Sequence, residues 1–160
     1  MGLCQQFDVL FDELTVMEHF ELVCEVKDIP ENEMASEIKS TLDLVMLTKH
    51  ADKLSKHLSG GMKRKLSLGM ALLGKSKIVI LDEPTSGLDV VSRRQVWDLI
   101  LRIKETRSII LSSQHIEEAD HLADRVCIMS HGKIIALDTP TALKRNFGVG
   151  YDLLIENSQD

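Results

Sequence analysis

The sequence has no long apolar run, no excess of basic residues and no internal repeat. No apolar run approaches the roughly 20 residues that cross a bilayer, so the sequence predicts no transmembrane segment. Its 19 basic and 25 acidic residues give a net charge of −6, which argues against a nucleic-acid-binding surface. Low-complexity tracts, Pro-rich linkers and heptad runs are also absent. A chain of 160 residues with this composition suits one domain with a sizeable core.

Cysteine is scarce, and its spacing indicates no disulfide framework. Cys4, Cys24 and Cys127 form no C-x-x-C pair, and no secretory signal precedes them. An odd number of cysteines in such a chain fits a reducing compartment, with the cytosol as the default. The sequence therefore predicts buried thiols.

Residues 15 to about 74 have the apolar periodicity of helices. Thr15-Val-Met-Glu18 is a capping box, and apolar residues at helical spacing follow it. A second apolar stripe covers residues 34–45. A third helix is predicted to begin near Ser59.

After residue 76 the pattern changes to alternating strands and helices. Short apolar runs alternate with helix-like segments, which predicts a parallel sheet. The last two apolar runs flank His131-Gly132-Lys133 and predict a hairpin. The predicted strands are 78–81, 109–111, 126–129 and 134–137, and the predicted helices are about 92–105 and 116–123.

The stretch GMALLGKS, from Gly69 to Ser76, matches the phosphate-binding pattern G-x-x-x-x-G-K-[ST]. A phosphate loop must follow a strand and keep its backbone N–H groups free for the ligand. This stretch instead continues a helical apolar stripe, and its residues Met-Ala-Leu-Leu favour a helix that would use those N–H groups. We therefore predict a helix end, with Gly74 as the C-terminal stop and Lys75 near the negative end of the helix dipole.

The acidic pair Asp82-Glu83 directly follows the apolar run KIVIL. In an open α/β sheet such a strand delivers side chains to a ligand crevice at its carboxyl end. A surface turn ahead of Pro84 is the alternative, but acidic groups beside buried apolar residues are costly unless they face a cation or a polar cleft. We expect the first carboxylate to hold Mg²⁺ through its water shell and the second to polarise an attacking water, as in an ATPase.

The sequence Ser59-Gly60-Gly61 lies where the third helix is predicted to start. Unpaired N–H groups, the helix dipole and the serine hydroxyl together make an anion site at such a position. The same residues also suit a structural role, with Ser59 as the N-cap and the glycines in a turn. These residues alone leave both interpretations open.

Four segments, in this order, resemble the nucleotide-binding domain of ABC transporters. They are CQQFDVLFDELTV (the Q-loop), LSGGMKRKLSLGMALLG (the signature motif), KIVILDEPTSGLD (Walker B with the D-loop) and SIILSSQHIEEADHLADR (the switch region). The resemblance covers essentially the whole chain, and LSGG with DEPTSGLD at this spacing is highly specific. LSGGMKRKLS, LFDELTV and the NFGVGYDL ending are similar to the eukaryotic A subfamily, whose members move lipids or sterols.

The resemblance implies roles for three residues that act on the chain's own ATP. Gln6 would be the Q-loop glutamine, which senses Mg²⁺ and the γ-phosphate and joins the core to the helical subdomain that touches the transmembrane domains. Asp82 would be the Walker B aspartate that holds Mg²⁺. Glu83 would be the general base.

The resemblance also implies roles that involve a second domain. Ser59, Gly60 and Gly61 would contact the γ-phosphate of ATP held by another nucleotide-binding domain in a head-to-tail pair. Asp89 would be the D-loop residue that communicates between the two sites. That role is compatible with capping the helix that follows.

Three departures from the family pattern bear on activity. The family's phosphate loop should precede the Q-loop by several tens of residues, so the resemblance implies a partial domain without the Walker A part. The alignment places Gln114 at the switch position, with His115 one residue later. His115 is then a solvated residue on the following helix, or it is itself the switch residue if the register is shifted by one. A glutamine amide donates a hydrogen bond to the γ-phosphate but lacks the charge of an imidazole. Met62 and Val90 replace the family's usual glutamine and proline.

The fold implied by the resemblance is α/β, a partial RecA-like P-loop NTPase core with an inserted helical subdomain. Its core would be a parallel sheet with flanking helices. Residues 1–160 would form one partial ABC ATPase domain. Its expected parts are the Q-loop region 1–14, the helical subdomain 15–74, the α/β core 77–137 and the C-terminal tail 138–160.

The leading functional interpretation is an ATP-binding and ATP-hydrolysing domain of an ABC transporter that moves lipid, with ATP and Mg²⁺ as cofactors. Its partners would be a second nucleotide-binding domain and the transmembrane domains, at the cytoplasmic face of a membrane, and not nucleic acid. The alternative is a non-catalytic binding module that donates its signature motif to a partner's ATP. Soluble ATPases of DNA repair also use LSGG but need long coiled coils, for which the sequence has no heptad run.

Overall fold

The computed structural model describes residues 1–148. These residues belong to two units, Met1–His115 and a second unit that begins at Ile116. The part of the predicted tail from residue 149 onward, with VGYDL of the NFGVGYDL ending, lies outside the described residues. The subdivisions expected from the sequence, 1–14, 15–74, 77–137 and 138–160, stay predictions.

The first unit contains a three-stranded parallel sheet. Its strands are β1 (Gly2–Cys4), β2 (Ile78–Asp82) and β3 (Ser108–Ser112), in the order β1-β2-β3. The apolar runs 78–81 and 109–111 are thereby confirmed as parallel strands. The sequence does not predict β1, because three residues that include a glycine are too short to show a strand pattern.

The two faces of this sheet differ in burial. Val79 and Leu81 of β2 are fully buried, which explains the apolar run in the sequence. The opposite face carries three residues that are partners in register, Leu3, Ile80 and Ile110. Leu3 is 53% exposed and Ile110 is 60% exposed, so this face is an apolar surface of the first unit.

Three helices lie between β1 and β2 in the chain. They are α1 (Val16–Val26), α2 (Glu31–Leu44) and α3 (Gly60–Leu72). Short 3-10 turns at Thr48–His50 and Ser55–His57 connect the last two. The three predicted helices are confirmed. Most of their periodic apolar residues are buried, whereas Val23, Met34, Met62 and Met70 are half-buried. The buried ones include Val16, Phe20, Cys24, Ile38, Leu42, Leu66 and Leu72.

Gly69 lets α1 and α3 approach each other closely. A Cβ atom on Gly69 would lie 2.6 Å from Cζ of Phe20, which is fully buried. A larger side chain at this position would force the phenylalanine ring out of its place in a close-packed core. The first glycine of GMALLGKS therefore has a packing role inside a helix.

The capping box at the start of α1 is confirmed. The Glu18 N–H donates to Oγ1 of Thr15 at 3.2 Å, and the Thr15 N–H donates to Oε2 of Glu18 at 2.7 Å. Each of these two residues therefore satisfies a backbone donor that the helix leaves unpaired.

We expect Thr15→Ala to lower the free energy of unfolding by about 1 kcal/mol at neutral pH, because alanine cannot accept the Glu18 N–H bond. Denaturant unfolding of both proteins measures the difference. Thr48→Ala is the control for loss of an exposed threonine hydrogen bond, because its hydroxyl donates to Oδ1 of Asp43 at 2.6 Å but caps no α-helix. An unchanged midpoint in Thr15→Ala would contradict the expected contribution of the cap.

The capping box also predicts a pH dependence. The Thr15 backbone N–H, and then its hydroxyl, hold the pKa of Glu18 below its ordinary value of 4.5. A carboxylate with a lowered pKa stabilises the folded state fully above the unfolded value and loses that effect as the pH falls through the folded value. The stability difference between wild type and Glu18→Gln should therefore be constant above about pH 5 and shrink below pH 4.5.

Helix α4 (Val90–Lys104) connects β2 to β3 and corresponds to the segment predicted at about 92–105. Its buried side chains recur at helical spacing and comprise Val96, Leu99, Ile100 and Ile103. Parallel strands joined by such a helix form the strand-helix-strand unit that the sequence indicates.

The second unit contains α5 (Ile116–Leu122), β4 (Val126–Ser130), β5 (Lys133–Asp138) and α6 (Pro140–Phe147). β4 and β5 pair antiparallel, which confirms the predicted hairpin. His131 and Gly132 form its turn with positive φ values of 48° and 73°. The sequence also placed the run 126–129 in the parallel sheet, and this was wrong, because that sheet contains β1, β2 and β3. A short apolar run alone does not reveal the direction of its partner strand.

The three cysteines differ in environment. Cys4 and Cys24 are buried, as predicted, and burial raises the pKa of the Cys4 thiol to about 11. Cys127 lies on the hairpin and is exposed, so the prediction of a buried thiol is wrong at that position. A two-stranded hairpin leaves part of each strand open to solvent, and the local sequence does not show which residues are covered.

Candidate functional site

The stretch GMALLGKS does not form a phosphate loop. Its residues Gly69 to Leu72 lie inside α3, where their N–H groups serve the helix. Gly74 follows the helix with a φ of 75°, as expected of a C-terminal stop. The N–H groups of Gly74 and Lys75 both donate to Oε1 of Glu37, at 3.1 and 3.3 Å. Because a carboxylate of the chain already accepts from these donors, the match with the phosphate-binding pattern is a coincidence of sequence.

Two lysines lie near the C-terminal end of α3, and both bind oxygen atoms of this chain. Nζ of Lys75 lies 3.1 Å from Oε2 of Glu33, past the end of the helix. The helix carbonyls instead accept from Lys27, whose Nζ is 2.7 Å from the Leu73 oxygen and 3.2 Å from the Met70 oxygen. The cation that caps the negative end of the helix dipole is therefore Lys27, which the sequence does not indicate.

The carboxyl ends of the three parallel strands meet at one edge of the sheet. Three residues near these ends lie side by side in register, Cys4, Leu81 and Leu111. Gln6 comes two residues after Cys4, and Glu83 comes two residues after Leu81. Gln114 comes three residues after Leu111. These residues therefore follow strands whose carboxyl ends lie at one edge, the edge at which open α/β sheets bind ligands.

Asp82 and Glu83 lie at the end of β2 in different environments. Asp82 is exposed, whereas Glu83 is only 9% exposed. The N–H of Glu83 donates to the carbonyl oxygen and to Oγ of Ser112, at 3.2 and 3.1 Å. The Ser112 hydroxyl in turn donates to Oδ1 of Asp82. One serine of β3 therefore holds both acidic residues in place, a contact that the sequence does not indicate.

Glu83 has a strained backbone. Its φ of 45° lies in the left-handed region, which costs a residue with a Cβ atom roughly 1–2 kcal/mol. Such conformations persist where the surroundings enforce them, and they cluster at functional sites. The same conformation occurs at Asp28, Met46, Lys75 and His131, so at Glu83 it shows a turn that is held by its surroundings and is not by itself a sign of function.

Gln6, Gln114 and His115 are all exposed at or after the ends of their strands. The N–H of His115 donates to Oγ of Ser113 at 3.0 Å, which forms the turn that leads into α5. The assignment of Gln114 to the switch position stays a prediction from the motif alignment.

Sequence patterns missed Arg64, a buried cation beside the acidic turn. Its guanidinium donates to six oxygen atoms, which belong to the segments 5–8 and 82–84. Carbonyl acceptors have no sequence signature, so only the fold reveals this contact.

Ser59, Gly60 and Gly61 lie at the N-terminus of α3, as predicted. Ser59 is the N-cap, and its Oγ accepts from the Met62 N–H at 3.3 Å. Ser59 and Gly60 are exposed, so the first turn of the helix faces solvent with its dipole. A Cβ atom on Gly61 would lie 2.5 Å from Oγ of Ser92 in α4, so this glycine permits a close contact between the two helices.

Asp89 caps α4, as predicted. Its Oδ1 accepts from the Ser92 N–H at 2.8 Å, and its Oδ2 accepts from the Ser92 hydroxyl at 2.8 Å. These bonds, the backbone one first, hold the pKa of Asp89 below its ordinary value. The same serine lies beside Gly61, so the N-terminal turns of α3 and α4 are neighbours within the first unit.

Comparison with known proteins identifies the family. The sequence model of the ABC transporter family matches residues 1–86, which is more than half of the chain. The chain belongs to the ABC transporter family.

Similar ABC transporter sequences come from the A subfamily. The chain is 43% identical over 155 residues to the phospholipid-transporting ATPase ABCA3 of Homo sapiens, covering 97% of the chain and 9% of that protein. It is 44% identical over 155 residues to ATP-binding cassette sub-family A member 2 of Rattus norvegicus, covering 97% of the chain and 6% of that protein. The chain thus spans less than a tenth of the length of these relatives.

A solved ABC structure agrees with the fold. The ATP-binding subunit of an ABC transporter superposes with a TM-score of 0.77 at 27% identity, covering 92% of this chain and 62% of that subunit. The chain therefore has the α/β fold expected from its sequence, a parallel sheet with helices as in a RecA-like P-loop core.

The residues at the sheet edge fit a Mg²⁺ ion that is held mainly by a nucleotide. Among residues 1–148 no group of three or more His, Cys, Asp or Glu side chains could form an all-protein metal site. Mg²⁺ bound with nucleotide phosphates needs only one or two carboxylates and retains several waters. Exposed Asp82, oriented by Ser112, and the exposed amide of Gln6 are suitable ligands of this kind.

The helical position of GMALLGKS gives a prediction for this ABC chain. We expect Lys75→Ala to leave ATP affinity unchanged, whereas loss of a genuine phosphate-loop lysine weakens binding by roughly 10- to 100-fold. Calorimetric titration should be made in a joined domain, in which the chain follows the P-loop half of an ABC nucleotide-binding domain. The control is the lysine of that supplied P-loop, changed to alanine. ATP binding that disappears in Lys75→Ala would contradict the helical interpretation.

Proposed function

We propose that the chain is part of the ATP-binding and ATP-hydrolysing domain of an ABC transporter. The observation that supports the proposal is that Gln6, the pair Asp82-Glu83 and Gln114 each lie at or just after the carboxyl end of one of three strands that pair in parallel. The one match to the phosphate-loop pattern in the sequence begins inside α3 and continues past its C-terminal end, so the proposal requires a phosphate loop from other sequence. The chain would thus act as part of a larger domain.

Each of the residues at the sheet edge would have a separate role in ATP hydrolysis. Asp82 and Gln6 would hold Mg²⁺, partly through water, and Mg²⁺ would neutralise charge on the phosphates. Glu83 would accept a proton from the attacking water as general base, since it follows the strand that ends at Asp82 and is largely shielded from solvent. Gln114 would donate a hydrogen bond from its amide to the γ-phosphate.

The signature residues would act on a second nucleotide-binding domain. Ser59, Gly60 and Gly61 would offer a hydroxyl and helix N–H groups to the γ-phosphate of ATP bound by the partner in a head-to-tail pair. Exposure of the first turn of α3 supports this role. Asp89, which caps the neighbouring α4 through Ser92, would transmit the state of one ATP site to the other.

An exposed apolar surface would receive the transmembrane domains of the transporter. Phe7, Val9 and Phe11 follow the Q-loop glutamine and are 77%, 66% and 57% exposed. They border a groove of about 400 Å³ that Val26 of α1 and Met70 of α3 also line. Exposed aromatic and apolar groups beside a groove are typical of protein interfaces. This surface would connect ATP hydrolysis to the transporter at the cytoplasmic face of its membrane.

The transported substrate would be lipid, because the ABCA3 relatives are phospholipid-transporting ATPases. No helix within residues 1–148 is long and apolar enough to cross a membrane. The net charge of −6 does not favour nucleic acid as a partner.

A second candidate function is a non-catalytic module that donates its signature motif to a partner's ATP. The observation in its favour is that the first turn of α3 is complete in this chain, whereas GMALLGKS forms the C-terminal end of the same helix. Such a module would bind a partner only when the partner holds ATP.

ATP hydrolysis by the joined domain tests the proposal against the module. We expect Mg²⁺-dependent hydrolysis in the joined domain, and a lower apparent affinity for Mg²⁺ in Asp82→Asn, because the amide replaces a charged ligand. Asp98→Asn, at an exposed residue of α4, is the control. A joined domain that binds ATP without hydrolysing it would overturn the proposal and favour the module.

A further inference from the structure

Arg64 lies three residues after Gly61 in α3 and is only 3% exposed. A guanidinium carries five N–H donors in a rigid planar fork, and a buried one is stable only when these donors are paired. The three nitrogens of Arg64 all have acceptors within 2.6 to 3.2 Å. Its partners include one carboxylate, Asp8 at 3.2 Å, whose side chain is 23% exposed.

One side of the fork holds the acidic turn after β2. Nη2 donates to the carbonyl oxygens of Asp82 and Glu83, at 2.9 and 3.2 Å, and Nε donates to that of Pro84 at 2.7 Å. The backbone of Glu83 is thus fixed on both sides, by Arg64 at its carbonyl and by Ser112 at its N–H. These contacts enforce the left-handed φ of 45°.

The other side of the fork holds the Q-loop. Nη1 donates to the carbonyl oxygens of Gln5 and Gln6, at 2.6 and 3.2 Å, and to Oδ1 of Asp8. Gln6 and Glu83 therefore share one rigid group of the signature helix. A displacement of α3 along its axis would move both.

We propose that Arg64 is a positioning residue, which enforces the backbone conformation of Glu83 and fixes it relative to Gln6. This inference rests on the proposed function, in which Gln6 and Glu83 act on ATP. Arg64 touches backbone atoms of these residues, so its effect on the reaction passes through their positions. Its place one turn behind Ser59–Gly61 makes α3 the link between the signature motif and the general base of the same chain.

Arg64→Lys separates the geometry of the fork from the positive charge. Lysine keeps the charge but carries its donors on one nitrogen, so it cannot reach the Q-loop and the acidic turn together. A role limited to charge balance in the fold would survive this change. A positioning role would not.

Amide hydrogen exchange in the chain itself tests the geometric part without any assumption about ATP. We expect the Glu83 amide to exchange about tenfold faster in Arg64→Lys, because a charge-assisted bond to its peptide is lost. Buried amides in α4, such as that of Leu99, should keep their rates. Arg102→Lys, the same change at an exposed arginine of α4, should leave both unchanged. An unchanged Glu83 amide, or equal acceleration in α4, would overturn the proposal.

Asp8→Asn is the second variant, for the case in which Arg64→Lys does not fold. It keeps the side-chain shape, removes the one charged partner of Arg64 and lies at a partly exposed position. We expect the Glu83 amide to exchange about threefold faster, since the guanidinium retains its carbonyl acceptors. A folded Asp8→Asn protein with an unchanged Glu83 amide would overturn the proposal.

Kinetics of the joined domain test the functional part. We expect Arg64→Lys to lower kcat for ATP hydrolysis about tenfold or more and to leave KM within about twofold, because positioning of the base affects the transition state. In a Glu83→Gln background the same change should have no further effect on kcat. Loss of hydrolysis in Glu83→Gln with full kcat in Arg64→Lys would overturn this inference alone, whereas full hydrolysis in Glu83→Gln would overturn the proposed function.

Discussion

Glu83→Gln should keep ATP binding in the joined domain and lose hydrolysis by a factor of about 10² or more. Glutamine has the shape of glutamate but cannot accept a proton from the attacking water. The N–H bonds to Ser112 and the carbonyl bond to Arg64 involve the backbone, so the substitution should leave the turn intact. The contribution of the carboxylate is thereby isolated from that of the backbone.

Release of phosphate and calorimetric titration of ATP provide the two readouts for this variant. Glu105→Gln, at an exposed residue that follows α4, is the matched control. Equal hydrolysis in wild type and Glu83→Gln would remove Glu83 from the role of general base. A loss of ATP binding together with hydrolysis would instead assign Glu83 to nucleotide binding.

Ser59→Arg should abolish ATP-dependent pairing of two joined domains while each still binds ATP. Ser59 is exposed at the N-cap of α3, and an arginine there would fill the space proposed for the γ-phosphate of the partner. Loss of the N-cap would also lower the stability of the fold, by about 1 kcal/mol, which is too little to unfold a typical domain. Failure to pair would therefore arise at the interface.

Analytical ultracentrifugation with ATP measures the pairing. The experiment is best made with Glu83→Gln in every protein, so that ATP is not consumed during sedimentation. Ser36→Arg, which adds the same side chain at an exposed position of α2, should pair like the parent. ATP-dependent dimers of Ser59→Arg would show that the signature residues do not face the partner's nucleotide.

Local sequence signals predicted the helical part of the fold well. The caps Thr15, Ser59 and Asp89 are found where the sequence placed them, because a capping side chain acts on donors only a few residues away. GMALLGKS was likewise predicted as a helix end from local signals, namely its helix-forming residues and the apolar stripe that precedes them. Gly69 shows how a motif glycine satisfies a packing need instead of a ligand.

Contacts between distant segments could not be predicted. Arg64 bonds mainly to carbonyl oxygens, which every residue possesses, so no residue type in the sequence marks its partners. Lys27 caps a helix that ends more than 40 residues later, at Leu72, for the same reason. The hairpin of 126–129 with 134–137 was predicted, because its turn is a local signal, but the alternation of strands and helices also placed 126–129 in the parallel sheet, and this was wrong.

Because the backbone of Glu83 is left-handed, fold stability and ATP hydrolysis favour different residues at position 83. Glycine and asparagine adopt a φ of 45° at lower cost than glutamate. A mutant library sorted only for thermostability should therefore enrich glycine or asparagine at position 83 and discard the carboxylate. A library sorted for ATP turnover should keep glutamate and gain its stability at other positions. Consensus or computational redesign of this chain should accordingly keep residue 83 fixed.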